Sequence, residues 1–320
     1  IYQCDWSSDV CSSDLVVIPT FGRPALLLRA IRSVQAQTRG DFELIVVVDG
    51  DDPPTMEALA GVSDPRLRVI VPQEKCGAGG ARNLGAAQAR GRWVAFLDDD
   101  DEWLPEKLEK TLAAAPHERC IITSLIRVVA QHGKRINPTT PYDGRQPIDE
   151  WMFDRHSWLR GSEAMIQTSA LVFPRALFDE LQFVEPHEEW HLCFRAVKRL
   201  GYDYVTVREP LVIYYVPVAI ASLSNSYRLA RTLGWLDANQ NLLTRRAYSG
   251  FALTAASQVR PEGSRNRAML RLLRMAFANG APTPKQLFAF AFIWAVPQER
   301  RVRLRALFGR NSYAGTDQSE

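Results

Sequence analysis

The chain has 320 residues, 46% of them apolar and 23% charged, a balance that fits one large globular domain or two smaller ones and excludes a disordered or fibrous chain. Its net charge of +3 is unevenly spread: from Arg228 to Arg310 there are 15 Lys or Arg against 3 Asp or Glu, a local +12 that leaves −9 for the rest. The longest apolar run near the end, Leu287 to Val296, is too short to span a bilayer, so a membrane-spanning protein is not expected.

Residues 1–15, IYQCDWSSDVCSSDL, carry the near-repeat SSDV/SSDL and no helical or strand periodicity. They resemble a translated sequencing-library adapter and are set aside as a non-native leader, with the first strand expected to be clipped. They lack the basic start and continuous apolar core of a signal peptide. Cys4 and Cys11 fall in this leader. Cys76, Cys120 and Cys193 are widely spaced and odd in number, the pattern of free thiols in a reducing, cytoplasmic compartment.

Leu15 to Pro19 is apolar and β-branched and reads as a strand. It stops at Thr20-Phe21-Gly22-Arg23, and Pro24 then opens a helix with Leu27, Ile31 and Val34 on one face. Phe42 to Val48 reads as a second buried strand ending in Asp49-Gly50-Asp51-Asp52, followed by a short helix around Met56 to Ala60. Leu67 to Val71 gives a third strand. Cys76 to Asn83 is predicted to be a glycine-rich loop running into a short helix through Ala89. Its glycines would admit a phosphate or let a helix pack closely, and both readings stay open because neither dinucleotide-binding nor Walker spacing is present.

Trp93 to Leu97 is the next buried strand, and four aspartates follow it: Asp98, Asp99, Asp100 and Asp101. Open α/β sheets gather ligands outside the carboxyl ends of their strands. Adjacent carboxylates repel one another, and a divalent cation removes that conflict. Hard oxygen ligands suit Mg²⁺ or Mn²⁺ rather than zinc. The plainer alternative is a solvated acidic loop that starts the next helix. An EF-hand is excluded, since Trp103 stands where the loop needs glycine.

Pro105 is predicted to open a helix reaching Ala115, and Cys120 to Ala130 reads as a strand. Residues 134–165 lack a clear period and are expected to form a long loop or lid. Met165 to Phe173 returns to strand character. A helix follows in which Trp190, Cys193, Phe194, Val197 and Leu200 keep helical spacing, Gly201 is the cap, and Glu188 and Glu189 lie in the first turn. Tyr204 to Val207 and Leu211 to Val216 are further strands. From Arg228 the pattern is helical, with breaks at Pro261 to Ser264 and Pro282 to Pro284, and 311–320 is expected to be a disordered tail. The alternation of strand and helix predicts an α/β fold: a doubly wound, mostly parallel sheet flanked by helices, with right-handed crossovers and a C-terminal helical extension.

VVIPTFGR, LIVVVDGDD, GAGGARNLGAAQARGRWVAFLDDDDEW and HEEWHLCFRAVKRLGYDYVTVREPLVIYYV resemble, in order and spacing, the family 2 glycosyltransferases. The resemblance covers residues 15–216. It implies the type A glycosyltransferase (GT-A) fold over 16–225, with a nucleotide-sugar half at 16–130 and an acceptor half at 131–225, followed by a basic helical extension at 226–310. It also implies a nucleotide-sugar donor, a UDP-sugar, and a divalent metal. On that pattern Pro19, Thr20 and Phe21 border the nucleobase, Asp49 accepts from base or ribose with Asp51 as the next candidate, and Arg82 lies near the diphosphate. Asp98 to Asp101 match the family's DxD element, with Asp98 and Asp99 on the donor side and Asp100 and Asp101 toward the metal. HEEW matches the site of the general base, which puts Glu189 in that role with Glu188 as its rival.

Gly22 departs from the usual Asn of the first loop. Pro217 stands where many members carry a histidine, so carboxylates, phosphate oxygens and water would have to hold the metal. The implied activity is metal-dependent, inverting transfer of a sugar to a saccharide or lipid-linked acceptor, as in cell-envelope polysaccharide assembly. Two readings compete with it. A non-catalytic nucleotide-sugar or carbohydrate-binding module would keep the cleft without turnover. A sugar-phosphate nucleotidyltransferase would want a glycine- and arginine-rich phosphate loop directly after the first strand, where Phe21-Gly22-Arg23-Pro24-Ala25 stands instead. For the basic extension the readings are a packed helical subdomain, then a peripheral membrane surface in which Leu287 to Trp294 precedes Arg300, Arg301, Arg303 and Arg305. Nucleic acid is not expected, since no recognised module accompanies the charge.

Overall fold

The computed structural model describes residues 14–130, 133–158, 163–216, 228–259, 263–296 and 300–301. Most of the 1–15 leader, Pro217 and the 311–320 tail lie outside them. The chain divides into two compact units, one formed by residues up to 129 together with 166–215, the other by 130–165 together with residues from 216 on. That division departs from a single acceptor half at 131–225: residues 130–165 group with the C-terminal helices, and 166–215 return to the sheet.

The first unit is a mixed sheet in the order β3-β2-β1-β4-β8-β6-β9-β5. Its strands are β1 (Asp14–Thr20), β2 (Phe42–Val48), β3 (Leu67–Ile70), β4 (Trp93–Phe96), β5 (Glu102–Trp103), β6 (Cys120–Ala130), β8 (Val172–Pro174) and β9 (Asp203–Tyr215). Strands β1, β2, β3 and β4 run parallel, as does the β6–β9 pair, whereas β8 lies antiparallel to both β4 and β6. The central parallel strands β1 and β2 are near-continuous apolar runs, as strands buried on both faces are: all seven residues of β1 are buried, as are Leu44 to Val48 in β2. The first strand begins two residues inside the stretch set aside as leader. Asp14 belongs to it, accepting from the Trp93 N–H at 3.1 Å and pairing with Arg39 at 3.0 Å.

Helices α1 (Pro24–Gln35), α2 (Pro53–Ala60), α3 (Gly77–Ala86), α4 (Lys107–Ala113) and α6 (Glu188–Leu200) flank these strands in the sequence. The glycine-rich stretch predicted as a loop is the body of α3. Glycine weakens a helix by roughly 1 kcal/mol relative to alanine, and close packing explains its presence here: a β-carbon on Gly79 would overlap Glu188 Oε2, and one on Gly85 would overlap Val17. Met165 to Phe173 is not one strand; a 3₁₀ turn at Thr168–Ala170 precedes the short β8. Tyr204–Val207 and Leu211–Val216 merge into the single strand β9, whose pairing with β6 shifts register around Leu125.

The second unit holds β7 (Gly133–Asn137) and helices α5 (Ile148–Phe153), α7 (Leu229–Ala238), α8 (Arg245–Gly250), α9 (Arg265–Asn279) and α10 (Pro284–Ala295). The predicted lid therefore contains regular structure. Trp151 and Phe153 of α5 are buried, and Phe153 meets Phe251 edge-on at 5.0 Å between ring centres. Gly250 has no room for a side chain, because a β-carbon there would strike the Phe153 carbonyl.

Candidate active site

The carboxyl ends of β1, β2 and β4, three neighbouring parallel strands, carry Thr20, Asp49 and Asp98, so chain direction alone brings their loops to one edge of the sheet. Pro19 is buried opposite Val47, and Thr20 Oγ1 donates to Asp99 Oδ2 at 2.7 Å. Phe21 is 43% exposed, with the Lys75 ammonium 3.3 Å from its ring centre. Asp49 accepts from the Cys76 and Gly77 N–H groups at 2.7 and 3.0 Å and so fixes the entry to α3. Asp51 is exposed. Its neighbour Asp52 is buried, caps α2 through Thr55 and accepts from the Gly22 N–H at 2.5 Å.

The four aspartates alternate in burial: Asp99 and Asp101 are enclosed, Asp98 and Asp100 half-exposed. Asp101, expected near the metal, has no exposed surface; it accepts from Ser169 Oγ at 2.6 Å, Gln167 Nε2 at 2.7 Å and the Tyr215 N–H at 3.3 Å. Burial, then the adjacent Asp98 charge, holds its carboxyl well above the usual carboxylate range. Its surroundings make it a structural tie between β4, the 3₁₀ turn and β9. Arg23 donates through one Nη1 to Asp99 at 3.2 Å and Asp100 at 2.9 Å. Burial raises Asp100 and pushes Asp99 up to about 6.

Arg82 of α3 is buried rather than open to a donor. It pairs with Asp98 Oδ1 at 2.6 Å through Nη2 and with Glu188 Oε1 through Nη1. Burial opposes its charge, and those two carboxylates more than offset the opposition. Beside it, Asn83 exchanges two hydrogen bonds with the Phe183 backbone, at 3.0 and 2.9 Å, pinning the approach to α6. His187, at φ 61 and ψ 40, turns the chain into α6 and stacks on Trp190 at 4.9 Å. Glu188 is buried and engaged by Arg82. Glu189 keeps a partly open surface, yet the protein packed around it pushes its carboxyl up to about 7, with Glu188's charge adding to burial.

Direct contacts gather the site residues into two groups, Thr20 with Asp99, Arg23 and Asp100, and Asp98 with Arg82 and Glu188, which the chain joins where Asp98 precedes Asp99. Asp49 and Phe21 lie at the neighbouring β2–α2 and β1–α1 turns, and Asp51 forms no hydrogen bond or ion pair with any of them among the described residues. Arg23, Ser169, Gln167 and Asp52 escaped the sequence reading. Asp52 alone had a legible signal, an aspartate directly before Pro53-Pro54 at a helix start.

Among the described residues no three acids, histidines or cysteines are grouped to hold a metal. The donor set fits a hard cation nonetheless: Asp98 and Asp100 are half-exposed, and Asp98 Oδ2 has no protein partner among the described residues. Mg²⁺ and Mn²⁺ are commonly held by one or two carboxylates, with substrate phosphates and water completing the shell.

Residues 15–181 match the family described as Glycosyl transferase family 2. The amylovoran biosynthesis glycosyltransferase AmsB of Erwinia amylovora is 29% identical over 278 residues, covering 82% of this chain and 89% of that protein. TarS 1-349 of S. aureus in complex with UDP-GlcNAc superposes with a TM-score of 0.55 at 14% identity, covering 96% of this chain and 95% of that one. The mannosyltransferase PcManGT of Pyrobaculum calidifontis, in complex with GDP-Man and Mn²⁺, gives 0.51 at 16% identity over 93% of this chain and 79% of that one. With the family match spanning more than half of its residues, this chain belongs to glycosyl transferase family 2 and is an enzyme of hexosyltransferase type on the GT-A fold.

Proposed function

We propose that this glycosyltransferase moves a single sugar, with inversion, from a nucleoside diphosphate donor to a hydroxyl of a saccharide or lipid-linked acceptor, and that Glu189 is the base. The observation carrying this reading is the link Asp98–Arg82–Glu188, which ties the acidic end of β4 to the start of α6. It supports the reading because Glu189 follows Glu188 directly and its carboxyl feels the Asp98 charge.

Thr20, Phe21 and Asp49 border the nucleobase and ribose in this reading, with Phe21's exposed ring free to stack once Lys75 moves aside. The nucleotide sugars bound to TarS and PcManGT make a UDP-sugar or a related donor the reasonable class. Asp98 and Asp100 would hold Mg²⁺ or Mn²⁺; bound there, the ion supplies Lewis-acid stabilisation of the charge that gathers on the departing diphosphate. Asp101 is left with its structural task.

Glu189 suits a base because a carboxyl near 7 takes a proton far more readily than an ordinary glutamate, and a base poised near the working pH is the most effective. Glu188 cannot share that duty while it neutralises Arg82; its role is to hold the guanidinium and, through it, Asp98. The acceptor oxygen would lose its proton to Glu189 as it attacks the anomeric carbon and the diphosphate departs from the opposite face.

The test is transfer from a panel of UDP- and GDP-sugars with and without Mn²⁺, with the product's anomeric configuration read by NMR. Metal-dependent transfer with inverted configuration, lost in Glu189→Gln, is expected. Donor binding without turnover would establish the binding-module reading instead, and retained configuration would overturn the assignment of a single displacement.

A further inference from the structure

Helix α9 buries Ala268, Leu272 and Ala276 and sends Arg267, Leu270, Arg271, Arg274 and Phe277 to its exposed side. These positions recur at three- and four-residue intervals, so they form one stripe along the helix. Leu270 is 47% and Phe277 59% exposed. No acid pairs with the three arginines among the described residues, and the stretch 263–296 contains no Asp or Glu at all.

Helix α10 has a second stripe of the same kind. It buries Gln286, Ala289 and Phe290, and its exposed positions Pro284, Phe288, Ala291, Phe292 and Ala295 are all apolar. Trp158, itself 49% exposed, meets Phe288 edge-on at 5.6 Å. A helix that has already buried one face normally shows water a polar one. Here the outer faces combine aromatic and aliphatic groups with unneutralised arginine.

We propose that the outer faces of α9 and α10 dock on the surface of an anionic lipid bilayer. Arginines meet the phosphate and anionic headgroups while Phe277, Phe288, Phe292 and Trp158 enter the acyl boundary, the chemistry of an interfacial rather than a spanning helix. Among the described residues no helix is long and apolar enough to cross a membrane. A second copy of the chain fits less well: a two-fold contact through these faces sets arginine against arginine with no acid nearby to answer it.

The full chain is to be co-sedimented with vesicles of phosphatidylcholine alone and of phosphatidylcholine mixed with phosphatidylglycerol. Binding to the anionic vesicles is expected, weakened by salt. It should fall about a hundredfold in the triple variant Arg267→Gln, Arg271→Gln, Arg274→Gln, and about tenfold or more in Phe277→Ser with Phe288→Ser. These side chains are outside the core, so circular dichroism should match the unmutated protein. Equal binding to both vesicle types, no binding to either, or unchanged binding in the variants overturns the proposal. So does a concentration-dependent dimer by light scattering that the Phe variants dissolve, or single-stranded DNA held as tightly as the anionic vesicles.

Discussion

Arg82 and Glu188 stand 106 positions apart in the chain and form a buried ion pair, with Asp98 on the guanidinium's other nitrogen. Breaking one side of such a pair leaves an uncompensated charge out of water, which costs about 3–5 kcal/mol. Arg82→Met is therefore expected to lower unfolding stability by that order. The double variant Arg82→Met, Glu188→Met should recover much of the loss, since it removes both charges and keeps the volume. Urea unfolding of the parent, Arg82→Met, Glu188→Met and the double variant gives the coupling directly. A double variant no better than the single one would show that the pair is not the source of the cost.

The Glu189 carboxyl, lifted to about 7 by burial, makes two linked predictions about pH. A base works deprotonated, so kcat should rise through about that pH, and Glu189→Gln should lose about 10²–10⁴ in rate. For stability the sign is opposite. The folded protein holds this proton more tightly than the unfolded chain, so the contribution is full below the ordinary glutamate range and is lost as pH rises through about 7. Glu189→Gln should thus be inactive yet more stable than the unmutated protein at alkaline pH. An activity profile flat across neutral pH would remove Glu189 from the base role.

How much of this was legible beforehand depends on what each signal reports. Phe42 to Val48 was readable to the residue because a strand buried on both faces is a continuous apolar run. Helix α3 was not, since the cost of Gly79 and Gly85 in a helix is visible in sequence while the close approach of Glu188 and Val17 that requires them is not. Residues 134–165 read as a loop in sequence because β7 and α5 are too short to show a period. The alternating burial of the DDDD run was not locally legible, because the strand ends at Phe96 and the run closes a turn in which the Asp101 N–H donates to the Asp98 carbonyl. The Arg82–Glu188 contact had no local signal, because only the fold brings α3 and α6 together.

Arg23 occupies one oxygen of Asp100 and one of Asp99, an internal cation on an acid expected to bind a metal. Removing it should therefore separate two effects. Arg23→Gln is expected to tighten Mn²⁺ binding in the absence of donor, by about threefold to tenfold for one partly exposed ion pair. Asp100→Asn should weaken the same binding by at least that factor. Calorimetric titration with Mn²⁺ reads both without any need for turnover. Unchanged affinity in both variants would place the metal elsewhere in the cleft.

Lys107 is fully buried, and its ammonium has no hydrogen-bond partner among the described residues; it lies 4.0 Å from the centre of the Trp103 ring. A desolvated cation over an indole gains about 2 kcal/mol, less than the several kcal/mol that a buried charge loses with its water. Burial therefore wins and holds the group well below the ordinary lysine range. Because the unfolded chain binds this proton and the folded protein releases it, the penalty is present at neutral pH and fades as pH approaches the unfolded lysine value, about 10.4. Lys107→Met keeps the packing and removes the conflict. It should raise stability at neutral pH by about 1–3 kcal/mol, the usual cost of a buried polar group left unpaired, with the gain shrinking toward alkaline pH. A variant less stable than the parent, or a difference that does not change with pH, would mean that the ammonium is charged in place and held by the ring.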